Sequence, residues 1–514
     1  MAKNVTIIHV IQSNYTFHQG EFMILEIKAD YSQTFLFPPS LEDWVPLDHP
    51  VRFIRLFVES LDLEALGFKS RESEEGRPNY SNELLLKVWL YGYYEKIRST
   101  RNLEKACKNQ LPLVWLTGMN FPDHNSIWRF FNSNVKALKQ IFSQSVKLAH
   151  KFGMVGLVLQ AIDGTKIMAD VSMNRSLHKQ DLSEYLKKLE ESIDEVIEEI
   201  KSKEVQESGG IGYRLPRHLQ DKTKLKKLIE NGLEELSMEE KLELKKGLEL
   251  GLEKLTAAGV EHLNLTAEES RLMRHKSGQK RFSYNAQSAV DSQEGIITGA
   301  KVCTDVEDRH QLFGMVEESA SNIGEVSEES LADGGYFCGE ELSKAGDKGY
   351  EVLVNLPKDI KGEGNNKYHK SNFSYDGERD VYRCPEGEEL FFYNEKQGSG
   401  KSYRVRIYRC VREGCSCRSQ CTRSKRGREI ERTPFEEVIN RQLQKQSAVD
   451  KKKLLRLRKE IVEPMFGWIK RNEGFERWSF RDLEAVDTQW KLLCTIINLH
   501  KMYRKWVGGK VCFG

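Results

Sequence analysis

Apolar residues recur at intervals of three and four through the first part of the chain, which is the spacing of amphipathic helices. Ser81 stands before one of these series as a candidate N-cap, and Asp123-His124-Asn125-Ser126 opens another. The pattern predicts a unit of several short helices over residues 34–150, after an N-terminal extension, residues 1–33, that carries no usable motif. Short helix–turn–helix pieces suit DNA binding, but ordinary helical bundles share the pattern, so both interpretations stay open here.

The next pattern is a short apolar run, Leu157 to Ile162, that ends on Asp163 and is followed by Gly164. Its length and composition predict a buried central strand. An acid at the end of such a strand lies where open α/β sheets place functional groups, although an Asp that caps a turn is the ordinary alternative. The same pattern recurs where the run ending at Ala332 is followed by Asp333 and Gly334.

Further strand and helix patterns lie around these two acids. Strands are predicted over residues 284–291, 296–303 and 351–356, and helices over 308–322 and 339–345. This order predicts an α/β (α+β) fold in which a mixed sheet is flanked by helices. We assign this domain to residues 151–505, followed by a tail at 506–514.

Two insertions interrupt the predicted domain. Residues 181–274 are highly charged and predict a hairpin of long helices; with 14 basic and 18 acidic residues from Glu184 to Lys254, a solvated helical decoration is favoured over a phosphate-binding arm. Residues 357–450 contain five of the ten cysteines. This second insertion is also basic, and such a block can anchor nucleic acid without reading its sequence.

The cysteines of the second insertion are candidate zinc ligands. Four thiolates can bind Zn²⁺ tetrahedrally, and the predicted set is Cys384, Cys410, Cys415 and Cys421, with Cys417 as the spare. The spacing is not the paired C-x₂-C of a zinc ribbon, so reduced, unligated thiols remain the alternative.

Composition narrows the class of protein. Of 514 residues, 39% are hydrophobic and 30% charged, and no apolar run has the length of a membrane span. We therefore expect a cytoplasmic protein without a membrane partner, in which cysteines stay reduced. The net charge of +2 excludes little, because nucleic-acid contacts depend on local patches.

A helix is predicted over Lys451–Arg471, with a kink or restart at Pro464, before a final apolar helix. Glu463 shares one face of it with Arg456, Lys459 and Lys470. An acid among basic residues usually forms surface ion pairs. In chain order, however, Asp163, Asp333 and Glu463 lie on strand, strand and helix, as in the carboxylate triad of an RNase H-like sheet. Three carboxylates suit two Mg²⁺ (or Mn²⁺) ions, which could activate a water or a 3′-hydroxyl for an in-line displacement at phosphorus.

Several ordered motifs resemble the bacterial insertion-sequence transposases with a DDE catalytic domain, in particular the subgroup with a cysteine-containing insert before the final Glu. The residues that carry the resemblance are Phe37-Pro38-Pro39-Ser40, Asp48-His49-Pro50-Val51-Arg52, Pro122-Asp123-His124-Asn125-Ser126-Ile127, Asp163-Gly164-Thr165, Tyr284-Asn285-Ala286-Gln287 with Asp291, Asp333-Gly334-Gly335-Tyr336 and the run from Val462 to Lys470.

The resemblance implies an RNase H-like fold, Mg²⁺-dependent cutting and joining of DNA, and catalytic roles for Asp163, Asp333 and Glu463. It also implies that residues 34–150 bind terminal inverted repeats and that Tyr284, Asn285 and Gln287 lie near the site. We expect contacts to double-stranded DNA, both element ends and target, from Arg456, Lys459, Lys470 and Arg471. Synapsis of two ends predicts a homodimer.

Two other functions remain compatible with the sequence. One is an RNase H-like, structure-selective DNA nuclease or resolvase that hydrolyses without strand transfer. The other is a non-catalytic, domesticated DNA-binding regulator.

Overall fold

A computed structural model describes residues 40–69, 79–201, 222–231, 233, 236–357, 360, 366–398, 402–412 and 414–513. The predicted extension, residues 1–33, lies outside these ranges, as do the first three residues of the Phe37-Pro38-Pro39-Ser40 motif and residues 202–221 of the first insertion. None of the helices in the described ranges is long and apolar enough to cross a membrane.

The chain begins with a group of helices that bury their apolar faces together. They are α1 (Pro50–Glu59), α2 (Asn82–Tyr94), α3 (Thr100–Asn109), α4 (Leu111–Leu116), α5 (His124–Ser133) and α6 (Val135–Lys151). Ser81 is the N-cap of α2, as predicted, and Asp123 is the N-cap of α5, since their side chains accept hydrogen bonds from the amides of Leu84 and Ser126.

A mixed sheet follows, interrupted by the first insertion. Its strands are β1 (Leu159–Met168), β4 (Arg271–Arg274), β5 (Lys280–Asp291), β6 (Ile297–Cys303), β7 (Glu329–Ala332) and β8 (Val352–Val354). The insertion comprises β2 (Ser176–His178), α7 (Lys179–Lys201), α8 (Lys222–Asn231), α9 (Met238–Ala257) and β3 (His262–Asn264), and α7 to α9 bury a small core of their own. Helices α10 (Leu312–Ile323) and α11 (Gly339–Asp347) belong to the main domain.

The strand order confirms the predicted mixed sheet. Strand β1 is central, with β7 and then β8 parallel to it on one side and β5 antiparallel on the other. Strands β4 and β6 both pair antiparallel with the far edge of β5, at different points along its length. Strand β5 is therefore the one strand of this described sheet that runs against all the others, and the order β6–β5–β1–β7–β8 with β1 in the centre is the RNase H-like arrangement.

The second insertion folds into a separate antiparallel sheet that the sequence analysis did not predict. Its order is β13–β12–β11–β10–β9. The strands are β9 (Ser374–Asp376), β10 (Val381–Arg383), β11 (Glu389–Gln397), β12 (Arg404–Cys410) and β13 (Glu429–Arg432), with a short helix, α12 (Arg418–Cys421), before β13.

Three helices complete the chain: α13 (Glu436–Ser447), α14 (Val449–Gly467) and α15 (Leu483–Val507). Together with α1 to α6, helices α14 and α15 bury one face of the mixed sheet in a single apolar core, which includes Trp89, Val462 and Trp490. Helices α10 and α11 cover the other face. The N-terminal helices are thus packed directly against the sheet that carries the candidate site.

Candidate functional site

Asp163 lies within strand β1 rather than at its end. Strand β1 pairs in parallel with β7 only over Leu159–Ala161, while its antiparallel pairing with β5 continues to Met168 and holds Asp163 opposite Ser288. The predicted strand boundary was therefore wrong, because β5 extends the strand past Gly164. Asp163 nevertheless lies just beyond the end of the parallel ladder, at the edge where β7 also ends.

Asp333 follows the last residue of β7 directly, as predicted. Its Oδ1 accepts a hydrogen bond of 2.8 Å from the amide of Gly335, which fixes the carboxylate at the start of a tight turn. Burial raises the pKa of Asp163, and the negative charge of Asp333 raises it further, while Arg458 and the Gly164 amide act in the opposite direction. The structure thus brings these two acids into one electrostatic neighbourhood.

Glu463 is on α14 and its side chain is exposed. The helix does not restart at Pro464, since it continues to Gly467 and then widens into a π-helical turn, Trp468–Asn472. Val462 and Met465 point into the core, and Glu463 lies outside that buried face. Within the described ranges, no group of three or more His, Cys, Asp or Glu side chains is arranged to hold a metal ion.

Arg458 is a site residue that the sequence analysis missed. Its Nη1 lies 3.0 Å from Asp163 Oδ2, and the residue is only 7% exposed. The signal that could have found it is helical spacing: Arg458 stands four residues before Val462 and seven before Met465, on the apolar face of α14. A buried arginine needs a paired acid, so this position predicts a carboxylate partner on the sheet.

Asp308 is the second residue that the sequence analysis missed. Its Oδ1 accepts hydrogen bonds from the side-chain amides of Asn285, at 2.7 Å, and Gln287, at 2.6 Å. Both amides are buried on β5, and Gln287 also accepts a hydrogen bond from the Tyr336 hydroxyl. Asn285 and Gln287 were predicted to lie near the acids. In the structure they hold a further carboxylate, Asp308, next to Gly164 and Gly335, the glycines that follow Asp163 and Asp333.

Tyr284 points the other way. Side chains alternate along β5, so Tyr284 packs in the large core near Trp478 and its hydroxyl donates to the carbonyl of Arg481. Tyr284 therefore packs on the face of the sheet that the large apolar core covers, while Asn285 and Gln287 contact Asp308.

Two glycines leave room among these acids. A Cβ on Gly164 would lie 2.4 Å from Gln287 Nε2 and 2.9 Å from Asp308 Oδ1. A Cβ on Gly335 would lie 3.0 Å from Asp333 Oδ1 and 3.7 Å from Asp308 Oδ2. Tyr336 lies beside the same acids. Its pKa is raised well above its ordinary value by burial and by the charges of Asp308, Asp163 and Asp333.

The predicted DNA-contacting residues differ in exposure. Arg456 and Lys459 are exposed on α14, on either side of the buried Arg458, and Arg471 is exposed in the π-helical turn. Lys470 is half-buried, and its pKa is lowered by burial and by the positive charge of Lys276. The helix therefore presents a basic surface beside Glu463.

The five cysteines of the second insertion are free thiols. Cys384, Cys410, Cys417 and Cys421 pack against one aromatic cluster of the small sheet, and the sulfurs of Cys415 and Cys417 lie 3.1 Å apart. This packing groups Cys417, the predicted spare, with three of the four predicted ligands.

Comparison with protein families gives two matches. A model described as "Transposase DDE domain" matches residues 383–503, and one described as "Transposase domain (DUF772)" matches residues 39–133. The first covers strands β11 to β13 of the small sheet and Glu463, and the second covers helices α1 to α5. Neither match includes Asp163 or Asp333. No curated protein matches the chain.

Proposed function

We infer that the chain is an insertion-sequence DDE transposase, since two transposase family models match it, one near each end. From this premise we propose that it binds the terminal inverted repeats of its element and catalyses metal-dependent cleavage and strand transfer. The observation that carries the proposal is that Asp163 and Asp333 each stand two residues after the paired positions Ala161 and Leu331 of neighbouring parallel strands, at the edge of the sheet where this topology gathers functional groups.

Asp163, Asp333 and Glu463 would hold the metal. Carboxylate oxygens are the donors that Mg²⁺ and Mn²⁺ prefer, and Gly164 and Gly335 keep side-chain atoms out of the space beside Asp308. A pair of such ions activates the attacking oxygen and stabilises the leaving one. Asp163 and Asp333 would contribute from neighbouring strands of the sheet, and Glu463 from α14.

The protein's own residues supply position and charge. Arg458 compensates the buried Asp163 carboxylate, and Asp308 is fixed by two amides so that its second oxygen faces Gly335. In the proposed reaction, water attacks the phosphodiester and releases a 3′-hydroxyl, which then attacks a target phosphodiester and releases a new 3′-hydroxyl. No covalent protein intermediate is required.

DNA would be held by two surfaces. The transposase families imply DNA as a partner. We propose that basic residues of α14 and the turn after it contact phosphates next to the site: the exposed Arg456, Lys459 and Arg471, and the half-buried Lys470. The helices within residues 34–150 would recognise the terminal repeats, and two copies would join to pair the two ends.

The small sheet would carry a structural zinc ion on four of its five cysteines. The packing of Cys384, Cys410, Cys417 and Cys421 on one cluster supports Cys417 as a ligand in place of Cys415. Metal analysis of protein purified without chelators checks this: about one equivalent of zinc is expected, lost in a Cys384→Ser, Cys421→Ser variant and kept in Cys107→Ser. Less than about half an equivalent in the unsubstituted protein would refute the site.

The function is tested by joining pre-cut element ends to target DNA. We expect Mg²⁺-dependent joining by the unsubstituted protein, and none by Asp163→Asn or Asp333→Asn, with DNA binding retained. Asp170→Asn, at a half-buried acid in the same segment that pairs with Arg481, is the matched control and should join normally. Cleavage without joining would favour the nuclease or resolvase, and binding without metal-dependent cleavage would favour the regulator.

A further inference from the structure

Many basic side chains of the small sheet already have an acidic partner. From Lys401 to Glu460 the sequence has 19 basic and seven acidic residues, and six of the basic ones lie on α14 rather than in the sheet. Many of the arginines in and around the sheet form ion pairs with nearby acids. Examples are Arg379 with Glu389, Arg404 with Glu395, Arg406 with Asp380, Arg409 with Glu429, and Arg432 with Glu437. These side chains are poor candidates for binding an external anion, because each is already paired with a carboxylate of the protein.

One segment differs, and we name it the basic tip: Arg423, Lys425 and Arg426, between α12 and β13. All three residues are exposed, and among the described acids none lies within ion-pair distance of them. From Arg418 to Arg428 the chain has five basic residues and no acidic one. The tip is therefore a local positive charge within an otherwise balanced sheet.

The backbone of the basic tip is fixed by its own hydrogen bonds. Thr422 Oγ1 accepts from the Ser424 amide and Ser424 Oγ accepts from the Arg426 amide, both at 3.1 Å. Arg418 donates to the carbonyl of Lys425, and Gly427 closes the turn with a φ of +99°. Because the backbone is ordered in advance, binding an anion here would cost only the ordering of the side chains.

The small sheet that carries the tip is attached to the catalytic sheet. Phe435, which follows β13, lies against Gly339 at the start of α11, where an added Cβ would come within 2.7 Å of it. Gly339 is only six residues after Asp333. DNA bound at Asp163 and Asp333 would therefore lie close to the small sheet.

We propose that the basic tip contacts the phosphate backbone of duplex DNA and anchors it independently of sequence, a proposal that rests on the proposed function. Single-stranded nucleic acid is less suited, since its binding needs aromatic faces for base stacking. The exposed rings of this sheet are partly covered: Arg409 lies 3.3 Å from the ring centre of Tyr393, and Arg406 lies 4.7 Å from that of Phe392.

The test is the salt dependence of binding to a duplex of arbitrary sequence, measured by fluorescence anisotropy without divalent ions. Arg423→Gln, Lys425→Gln, Arg426→Gln should reduce the slope of log K against log salt by about 2.7, because each lost phosphate contact removes about 0.9. Between 50 and 200 mM salt, the unsubstituted protein should then lose about 40-fold more affinity than the variant.

The matched control changes net charge equally but removes paired arginines: Arg379→Gln, Arg383→Gln, Arg404→Gln. Its slope should stay that of the unsubstituted protein, as should the slope of Arg423→Lys, Arg426→Lys. Equal slopes for both triple variants would overturn the basic tip while leaving the proposed function intact. Failure of the unsubstituted protein to bind any duplex would instead count against the proposed function. Circular dichroism checks that each variant is folded.

Discussion

The edge of the central sheet and helix α14 place their acids in different ways. Asp163 and Asp333 are held by neighbouring parallel strands and by hydrogen bonds from the amides of Gly164 and Gly335. Glu463 projects from a helix whose position depends on side-chain packing, and it is exposed. Hydrogen bonds between strands set the position of a residue in the sheet. The position of a residue on a helix face depends instead on the side chains that pack the helix against the sheet. The backbone of the sheet therefore places Asp163 and Asp333, whereas the packing of a helix places Glu463.

The largest effect expected from this comparison concerns Glu463. If α14 brings Glu463 to the pair during the reaction, Glu463→Gln should reduce strand cleavage roughly a hundredfold or more, since a metal ligand supports several kcal/mol of transition-state stabilisation. Glu460→Gln, an exposed acid on the same helix, is the control. Equal cleavage rates for the two variants in a single-turnover assay would remove Glu463 from the triad.

The link between the two regions is the Arg458–Asp163 ion pair. Arg458→Ala leaves a carboxylate without its partner at a site where the two side chains are 9% and 20% exposed, so the free energy of unfolding should fall by about 3–5 kcal/mol. Arg456→Ala, exposed two residues earlier, should change it little. Urea unfolding measures both, and adding Asp163→Asn to Arg458→Ala should recover part of the loss. No recovery would show that the arginine stabilises the fold by packing alone.

Asp308 sharpens the account of the sheet edge. Asp308→Ala should leave the buried side-chain amide of Gln287 without its acceptor, and that of Asn285 with only the carbonyl of Asp305, which costs about 1–3 kcal/mol. Loss of such a supporting group near a metal site typically lowers activity or metal affinity roughly 10–100-fold. Cleavage rates and Mn²⁺ titrations measure this against the exposed control Glu307→Ala. A variant that retains both the rate and the affinity would reduce Asp308 to a structural role.

The smallest effect tests the packing of the helix. His500 on α15 stacks on Tyr94 and touches Trp468 at the end of α14, and burial lowers its pKa from 6.5 to about 4. The unfolded chain therefore takes up a proton first, so stability should fall as the pH drops from about 6.5 towards 4. His500→Gln should flatten this part of the thermal-unfolding profile. An unchanged profile would place the acid sensitivity elsewhere.

Much of the sheet edge was predictable because its information is local. The apolar run, the acid and the glycine correctly predict that Asp333 follows the end of a strand. The order of strand and helix patterns around Asp163 correctly predicts the mixed sheet. The boundary of β1 was wrong because its length is set by β5, more than a hundred residues later. Asp308 could not be found from spacing, since its position is set by hydrogen bonds from two side-chain amides on β5.

Helix α14 and the small sheet were less predictable for a different reason. Arg458 was hidden in a run of basic residues, although its register with Val462 pointed inward. Strands β9, β10 and β13 have only three or four residues each, and most of β11 is exposed, so the apolar alternation that reveals a strand is weak there. Cross-strand ion pairs, such as Arg409 with Glu429, contribute to this sheet, and they depend on register rather than on periodicity.

The central claim is that Asp163 and Asp333 form the metal-binding centre, and iron-mediated cleavage tests it most directly. Fe²⁺ replaces Mg²⁺, and hydroxyl radicals produced with ascorbate cut the backbone close to the bound ion. Mass spectrometry should find cuts near residues 163 and 333, with a third near 463 if α14 approaches, and all should disappear in the Asp163→Asn, Asp333→Asn variant. Cuts confined to the cysteine-containing sheet, or unchanged in the variant, would contradict the account.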